Sequence, residues 1–141
     1  MKPNIASEAA RAKVADSEKI TINLGFVDLG QVDLLVAEGF YGNRSDFIRT
    51  AIRNQLGQHA DVVRQVVARK TLVLGLQHFS AADLRAVKAA KQKLRIRVLG
   101  LATIAPDVTP ELALATIESL DVLGALHASP AVKAALARRI R

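Results

Sequence analysis

The sequence predicts a protein of the α/β class, α+β overall, because apolar residues follow different patterns along its length. In residues 18–26, E-K-I-T-I-N-L-G-F, apolar and polar residues alternate with the period of two that is typical of a half-buried strand. Residues 27–56 repeat apolar residues at helical spacing. From residue 71 onwards, three short apolar runs, each with a glycine, alternate with helix-like stretches.

These patterns divide the chain into four parts. We expect a flexible N-terminal arm over residues 1–17, a strand followed by two helices over 18–56, a helical linker over 57–70, and a strand-helix repeat domain over 71–141. Half of the 141 residues are hydrophobic, which is enough for a core built from aliphatic side chains.

Charge and composition narrow the class of function. The net charge is +7 and the pI is near 10.3, a balance that favours a polyanionic partner such as nucleic acid. Cysteine is absent, which excludes disulfides and thiol nucleophiles. There is no apolar run of membrane-spanning length and no secretion signal, so we expect a cytoplasmic protein without membrane contact.

The strand over residues 18–26 needs a partner, because unpaired buried backbone groups are unfavourable. The helical pattern that follows offers none, so we expect the same strand of a second chain to pair with it around a two-fold axis. The polar side chains of this ribbon would be Lys19, Thr21 and Asn23, twice over. A two-stranded ribbon fits the DNA major groove, where Lys, Thr and Asn bind base edges.

Two helices are predicted after the strand. The first has a candidate capping box at Asp28 and Gln31 and a candidate left-handed terminator at Gly39. The second begins near F-Y-G-N-R-S-D-F, where Asn43 and Asp46 form a candidate capping box and Ser45 is a rival cap. Its first backbone N–H groups, around Asn43–Arg44–Ser45, suit a phosphate.

The pieces K-I-T-I-N-L and G-N-R-S-D-F-I-R-T-A-I-R resemble the ribbon-helix-helix family of bacterial regulators, of the Arc, MetJ and CopG type, over residues 18–56. The resemblance implies a homodimeric repressor that uses its strands to read bases and its second helix to bind a phosphate. Base contacts then fall on Lys19, Thr21 and Asn23. Phosphate contacts fall on Asn43, Arg44 and Ser45. Arg49, on the exposed side of the second helix, is a further candidate for phosphate contact. The C-terminal half is not covered by this resemblance.

The second half contains a threefold pattern with glycines at 75, 100 and 124. The three runs are T-L-V-L-G-L-Q-H, R-I-R-V-L-G-L-A-T-I and D-V-L-G-A-L-H-A, and each leads into a helix-like stretch. The helix caps would be Ser80, Thr109 and Ser129, the last two followed by proline. Stacked units of this kind predict a short, solenoid-like parallel sheet with helices on one side, which serves oligomerisation or sensing.

Other functions find weaker support. His78 and His127 follow the first and third glycines by three residues, but Thr103 would separate them by two strand spacings, about 9.6 Å, so we expect no metal site and no cofactor. No catalytic motif is present, and we expect no enzymatic activity. The basic run Arg85–Arg97 fits either a solvated helix face or contact with flanking DNA or an acidic protein.

The sequence therefore predicts a sequence-specific DNA-binding transcriptional regulator, a repressor that works as a homodimer. Two further roles in DNA binding stay open: an antitoxin that represses its own promoter, and a plasmid-maintenance protein. A non-DNA oligomeric scaffold, in which the first half only dimerises, is the alternative from another class.

Overall fold

The computed structural model describes residues 17–141, in which three helices precede a parallel sheet with helices between its strands. After an extended segment come helices α1 (Phe26–Ala37), α2 (Arg44–Gln58) and α3 (Ala60–Lys70). Then strands β1 (Val73–Phe79), β2 (Leu94–Ile104) and β3 (Ile117–His127) alternate with helices α4 (Ala81–Ala89), α5 (Pro110–Thr116) and α6 (Pro130–Ala135). None of the helices in this part of the chain has the length and apolarity that a membrane crossing requires.

The described residues form two compact units, Ser17–Val66 and Val67–Arg141. In the first unit, α1 begins two residues before the predicted capping box: Gly25 is its N-cap, and no side chain caps it. The prediction of a cap at Asp28 was therefore wrong, because Asp28 already lies inside the first turn, where its charge suits the helix dipole.

The end of α1 follows the prediction. Gly39 has φ +85°, and the N–H groups of Gly39 and Phe40 donate to the carbonyls of Val36 and Leu35, the bond pattern of a Schellman motif. The turn after it brings Tyr41 edge-on to Phe47, with ring centroids 5.0 Å apart. This closed turn fixes the direction in which α2 leaves α1.

In the second unit, the sheet is parallel and its strands lie in sequence order, β1-β2-β3, which confirms the predicted short parallel sheet. The three glycines share one row across the strands, with Gly75 opposite Gly100 and Gly100 opposite Gly124. The third strand begins at Ile117, so residues 117–120, which the pattern assigned to a helix, are strand.

The core lies between the sheet and the helices on one of its faces. On β2 the buried residues alternate: Ile96, Val98, Ala102 and Ile104. They pack in one cluster with the helical residues Leu84, Ala113 and Val132 and with Leu136, the C-cap of α6. Since each helix here has fewer than ten residues, this shared burial rather than intrinsic propensity stabilises the helices.

Side-chain caps start all three helices of this unit as predicted. The hydroxyls of Ser80, Thr109 and Ser129 accept the N–H of Asp83, Leu112 and Val132 respectively. Asp83 also accepts from the N–H of Ser80 at 2.9 Å, which completes a capping box and lowers the pKa of Asp83. Each cap satisfies backbone groups at the point where the chain leaves a strand.

The last residues of the chain bridge the outer edge of β3 at one residue, Leu120. Leu120 donates to the carbonyl of Arg139, and Arg141 donates to the carbonyl of Leu120, at 2.9 and 2.8 Å. The guanidinium of Arg139 turns inward and donates to the carbonyls of Leu114 and Ile117, at 2.6 and 2.7 Å. The C-terminus thus satisfies both a strand edge and the end of α5.

Candidate nucleic-acid interface

The segment Ser17–Gly25 contains no helix, turn or bend, and its backbone has no partner strand among the described residues, so the predicted strand does not form within one copy. Phe26, which the alternation assigned to that strand, begins α1 instead. Its only backbone bond to the following chain there is the one in which the carbonyl of Gly25 accepts from Leu29 at the start of α1. The aliphatic side chains along it are solvent-exposed, by 72% at Ile20, 55% at Ile22 and 42% at Leu24. One protomer alone therefore leaves a strand-like segment with an uncovered apolar side.

These aliphatic side chains line a groove of about 970 Å³ that is formed within the first unit. Helices α1 and α2 supply the rest of its apolar lining: Val32, Leu35, Phe47, Ile48, Ala51 and Ile52. Ile52 is 46% exposed, and α2 has no buried residue at all. A helix with an apolar stripe and no buried residue is typical of a chain whose core is completed by another molecule.

The sequence predicts base contacts for Lys19, Thr21 and Asn23. Thr21 and Asn23 lie outside the lining of the apolar groove, whereas Lys19 borders it. All three are exposed, and none takes part in a side-chain hydrogen bond within residues 17–141. Their donors and acceptors are thus available to a ligand. The chemistry fits base edges, since an ammonium binds guanine and an amide binds adenine.

The N-terminus of α2 is capped as predicted, with one difference. The Oδ1 atom of Asn43 accepts the N–H of Asp46 at 2.8 Å, but the Asp46 carboxylate reaches back to the N–H of Gly42, at 2.9 Å, rather than to Asn43. The N–H groups of Arg44 and Ser45 make no hydrogen bond within the described part of the chain. Together with the helix dipole, two free N–H groups form a site suited to one phosphate.

The side chain of Arg44 has a partner that the sequence pattern did not indicate. Its Nε and Nη2 atoms donate to the two carboxylate oxygens of Asp33, at 2.7 and 2.8 Å. This bidentate pair joins α1 to the start of α2, lowers the pKa of Asp33 and raises that of Arg44. No local signal reveals it, because the residues are eleven positions apart on separate helices.

Arg49 and Ser45 lie one turn apart on α2, and both border the groove. Arg49 is exposed and forms no ion pair within residues 17–141. The structure therefore brings Ser45 and Arg49 to one side of α2 while Arg44 is held against α1. A cation one turn behind two free N–H groups strengthens an anion site.

The remaining predicted candidates lie in the second unit. His78, Thr103 and His127 occupy one row across the sheet, and the Nδ1 atom of His78 is 2.5 Å from the hydroxyl of Thr103. Among the described residues no group of three potential metal ligands comes together. The basic run is not one helix face, because α4 ends at Ala89 and Lys91 lies beyond it with φ +54°.

Comparison with known proteins identifies the class to which this arrangement belongs. The chain matches the model of the ribbon-helix-helix transcriptional regulator family over residues 15–133, and it belongs to that family. The match extends through the strand-helix region, which the resemblance in the sequence had left unassigned. Searches of curated proteins and of solved structures give no significant match.

Membership in this family confirms the recognition made from residues 18–56 and supports a DNA-binding transcriptional regulator that dimerises.

Proposed function

We propose that the protein is a bacterial repressor in which two copies pair their residues 18–25 as antiparallel strands. The observation that carries the proposal is the extended segment whose backbone has no partner among residues 17–141. Pairing would satisfy these groups and would remove from solvent the apolar groove that Ile20, Ile22 and Leu24 line in each copy.

The paired strands would enter the major groove with Lys19, Thr21 and Asn23 facing the bases. Lys19 would donate to guanine, Asn23 would exchange two hydrogen bonds with adenine, and Thr21 would offer its methyl group to thymine. Two-fold symmetry doubles these contacts, so the operator should contain inverted half-sites. This role is one of binding rather than catalysis, and it places the protein with the DNA in the cytoplasm.

The start of α2 would fix the ribbon on the duplex. The free N–H groups of Arg44 and Ser45 would bind a phosphate, with the Ser45 hydroxyl and the Arg49 guanidinium beside it. The Asn43 side chain is occupied as a cap, so its part is to hold these N–H groups in place. Phosphate contacts of this kind add affinity without sequence preference.

The test begins with selection of bound duplexes from a random pool, followed by affinity measurements on the selected sequence. Lys19→Ala and Asn23→Ala should each lose about 1–3 kcal/mol of discrimination between selected and random DNA. Lys133→Ala is the matched control, because it removes an exposed lysine of α6 far along the chain.

A circular dichroism spectrum and a dimer mass equal to those of the wild type would show that the variants still fold and associate. If both variants then prefer the selected duplex as strongly as the wild type does, the base-reading role is wrong. Binding to every duplex with equal affinity would leave only electrostatic contact. Absence of any DNA binding would favour the oligomeric scaffold.

A further inference from the structure

The sheet face opposite the helices is apolar and uncovered within the described residues. Its side chains form three rows across β1, β2 and β3, set by the strand register. The rows are Leu74, Leu99 and Leu123; then Leu76, Leu101 and Ala125; then His78, Thr103 and His127. Five leucines and an alanine thus form a flat patch that the helical layer does not reach.

The exposure of this patch is unusual for a parallel sheet. Parallel sheets are almost always covered on both faces, yet Leu74 is 69% exposed, Leu76 is 63% exposed and Leu123 is 51% exposed. The other face of the same strands carries the buried core residues Val98 and Ala102. The sheet is therefore half of a layered structure whose second layer is missing from the described part of one chain.

We propose that a second copy of this chain supplies that layer, so that the two sheets pack face to face through these leucines. This sheet contact depends on the strand-paired dimer of the proposed function, because that dimer keeps the two copies close together. In the packed state the leucine rows of one sheet lie against those of the other, about 10 Å apart.

The chemistry of the patch favours a second copy over other occupants. Its three rows contain no lysine, arginine or carboxylate. Arg97 and Asp121 lie at its border, and the Arg97 guanidinium donates to the carbonyl of Lys70 and the hydroxyl of Thr71. Two aliphatic rows beside one row of histidine and threonine offer no lysine or arginine with which to bind a nucleic acid or to select an acidic protein. An identical flat surface, by contrast, matches it by symmetry.

The size of the patch also favours the partner copy within one dimer. Three strands and three rows cover about 300 Å² per copy, from strand and residue spacings. An interface of that size is too small to hold two free proteins together. It is sufficient for two copies that are already joined elsewhere, because their effective concentration reaches the millimolar range.

Residues 1–16 of the same chain are the competing occupant. Their sequence contains only Ile5 and Val14 as large aliphatic residues, the others being mostly small or charged. Five leucines would gain little burial against such a segment.

The absence of cysteine makes a single-cysteine experiment possible in the full-length chain. Leu101→Cys places a thiol in the middle row on the central strand, and a short bismaleimide matched to the sheet separation should join two copies of it. Lys88→Cys places the control thiol on α4, in the helical layer. Leu101→Cys should give a covalent dimer, whereas Lys88→Cys should give at least tenfold less.

Two substitutions then test the surface itself. Leu74→Glu with Leu76→Glu should lower the yield of the Leu101→Cys crosslink at least tenfold, since both positions are exposed in one copy and tolerate charge there. Leu114→Glu is the matched control, an exposed leucine of α5, and should leave the yield unchanged. The proposal is overturned if the yield of the Leu101→Cys crosslink is the same with and without the two glutamates. It is also overturned if the crosslink does not form although the protein is a dimer.

The N-terminal deletion settles which occupant is present. Removal of residues 1–16 should leave the crosslink yield as it was; a crosslink that appears only after this removal shows that the arm occupies the patch and overturns the proposal. The sheet contact and the proposed function can fail separately. Loss of crosslinking with intact operator binding rejects the sheet contact alone, whereas crosslinking without sequence-selective DNA binding rejects the proposed function alone.

Discussion

Gly100 lies directly against Gly75 on the neighbouring strand, so closely that a Cβ atom on Gly100 would be 2.1 Å from the Gly75 carbonyl oxygen. Gly124 has the same relationship to Gly100, again at 2.1 Å. All three residues have positive φ angles, between +120° and +141°. The row of glycines therefore permits a backbone shape and a strand approach that no other residue allows.

Alanine substitution should separate these two requirements. Gly75→Ala adds a Cβ with no atom within 4 Å, so it should cost only the backbone strain, about 1–3 kcal/mol of unfolding free energy. Gly100→Ala adds a collision with backbone to the same strain and should cost clearly more. Urea unfolding of both variants measures the difference, and an equal loss of stability would contradict the close approach.

The pair between Arg44 and Asp33 predicts a specific dependence on pH. The pKa of Asp33 lies below its ordinary value of 3.8 in the folded state. Its ionised form therefore stabilises the folded protein above pH 4, and this stabilisation is lost as pH falls through the lowered pKa. Wild-type protein should thus exceed Asp33→Asn in stability at pH 7, and the difference should shrink at pH 3.

An NMR titration of the Asp33 carboxyl carbon measures the shift directly, and a midpoint at or above 3.8 would be inconsistent with the pair. Asp28→Asn is the control on the same helix, because no cation pairs with Asp28 among the described residues. The stability difference between wild type and Asp28→Asn should not show the decrease from pH 7 to pH 3 that is expected for Asp33→Asn.

Lys91 follows the C-cap residue of α4, Ala90, and has φ +54°, a position where glycine is usual. Its N–H donates to the carbonyl of Lys88, and the N–H of Gln92 donates to the carbonyl of Val87. These two bonds form only when the residue at position 91 is left-handed. Lys91→Gly should raise the unfolding free energy by about 1 kcal/mol. Lys88→Gly, inside the same helix, should lower it by a similar amount; equal signs in thermal unfolding would refute the assignment.

Local patterns in the sequence predicted those parts of the fold that depend on neighbouring residues. The caps at Asn43, Ser80, Thr109 and Ser129 each follow from a short polar side chain placed before an apolar repeat. The three glycines at nearly equal intervals predicted a stacked parallel sheet because identical units bury their apolar faces only against one another.

Features that depend on distant or atypical residues were not predictable in this way. Arg139 caps α5 from more than twenty positions away, and nothing in its own surroundings indicates that role. Lys91 adopts the left-handed conformation that ends a helix, a position at which glycine is usual. Because a lysine gives no sign of that conformation, the sequence did not indicate where α4 ends. At the candidate site, the exposed triad of the strand was visible in the alternation, whereas the Arg44 partner was not.

The Arg139 contacts predict that the C-terminus stabilises the second unit. Arg139→Ala would leave the carbonyls of Leu114 and Ile117 without their donor, which should cost about 1–3 kcal/mol. Arg138→Ala is the control, since Arg138 is exposed and its side chain makes no hydrogen bond in the described structure. Similar unfolding midpoints for both variants would show that the guanidinium of Arg139 is dispensable.

Substitution of Arg49 tests whether this residue contributes to affinity for DNA in general rather than to preference for one sequence. If it lies beside a phosphate, Arg49→Ala should weaken binding to all duplexes alike and reduce the slope of log affinity against log salt by about one per contact. Arg64→Ala, which removes an exposed arginine paired with Asp61 on α3, should leave the slope unchanged. Lys19→Ala should instead change which duplexes are preferred. Each ion pair between Arg49 and a phosphate releases counterions on binding, so its loss must lower the salt dependence. If Arg49→Ala binds selected DNA with wild-type affinity and salt dependence, Arg49 does not contact the DNA.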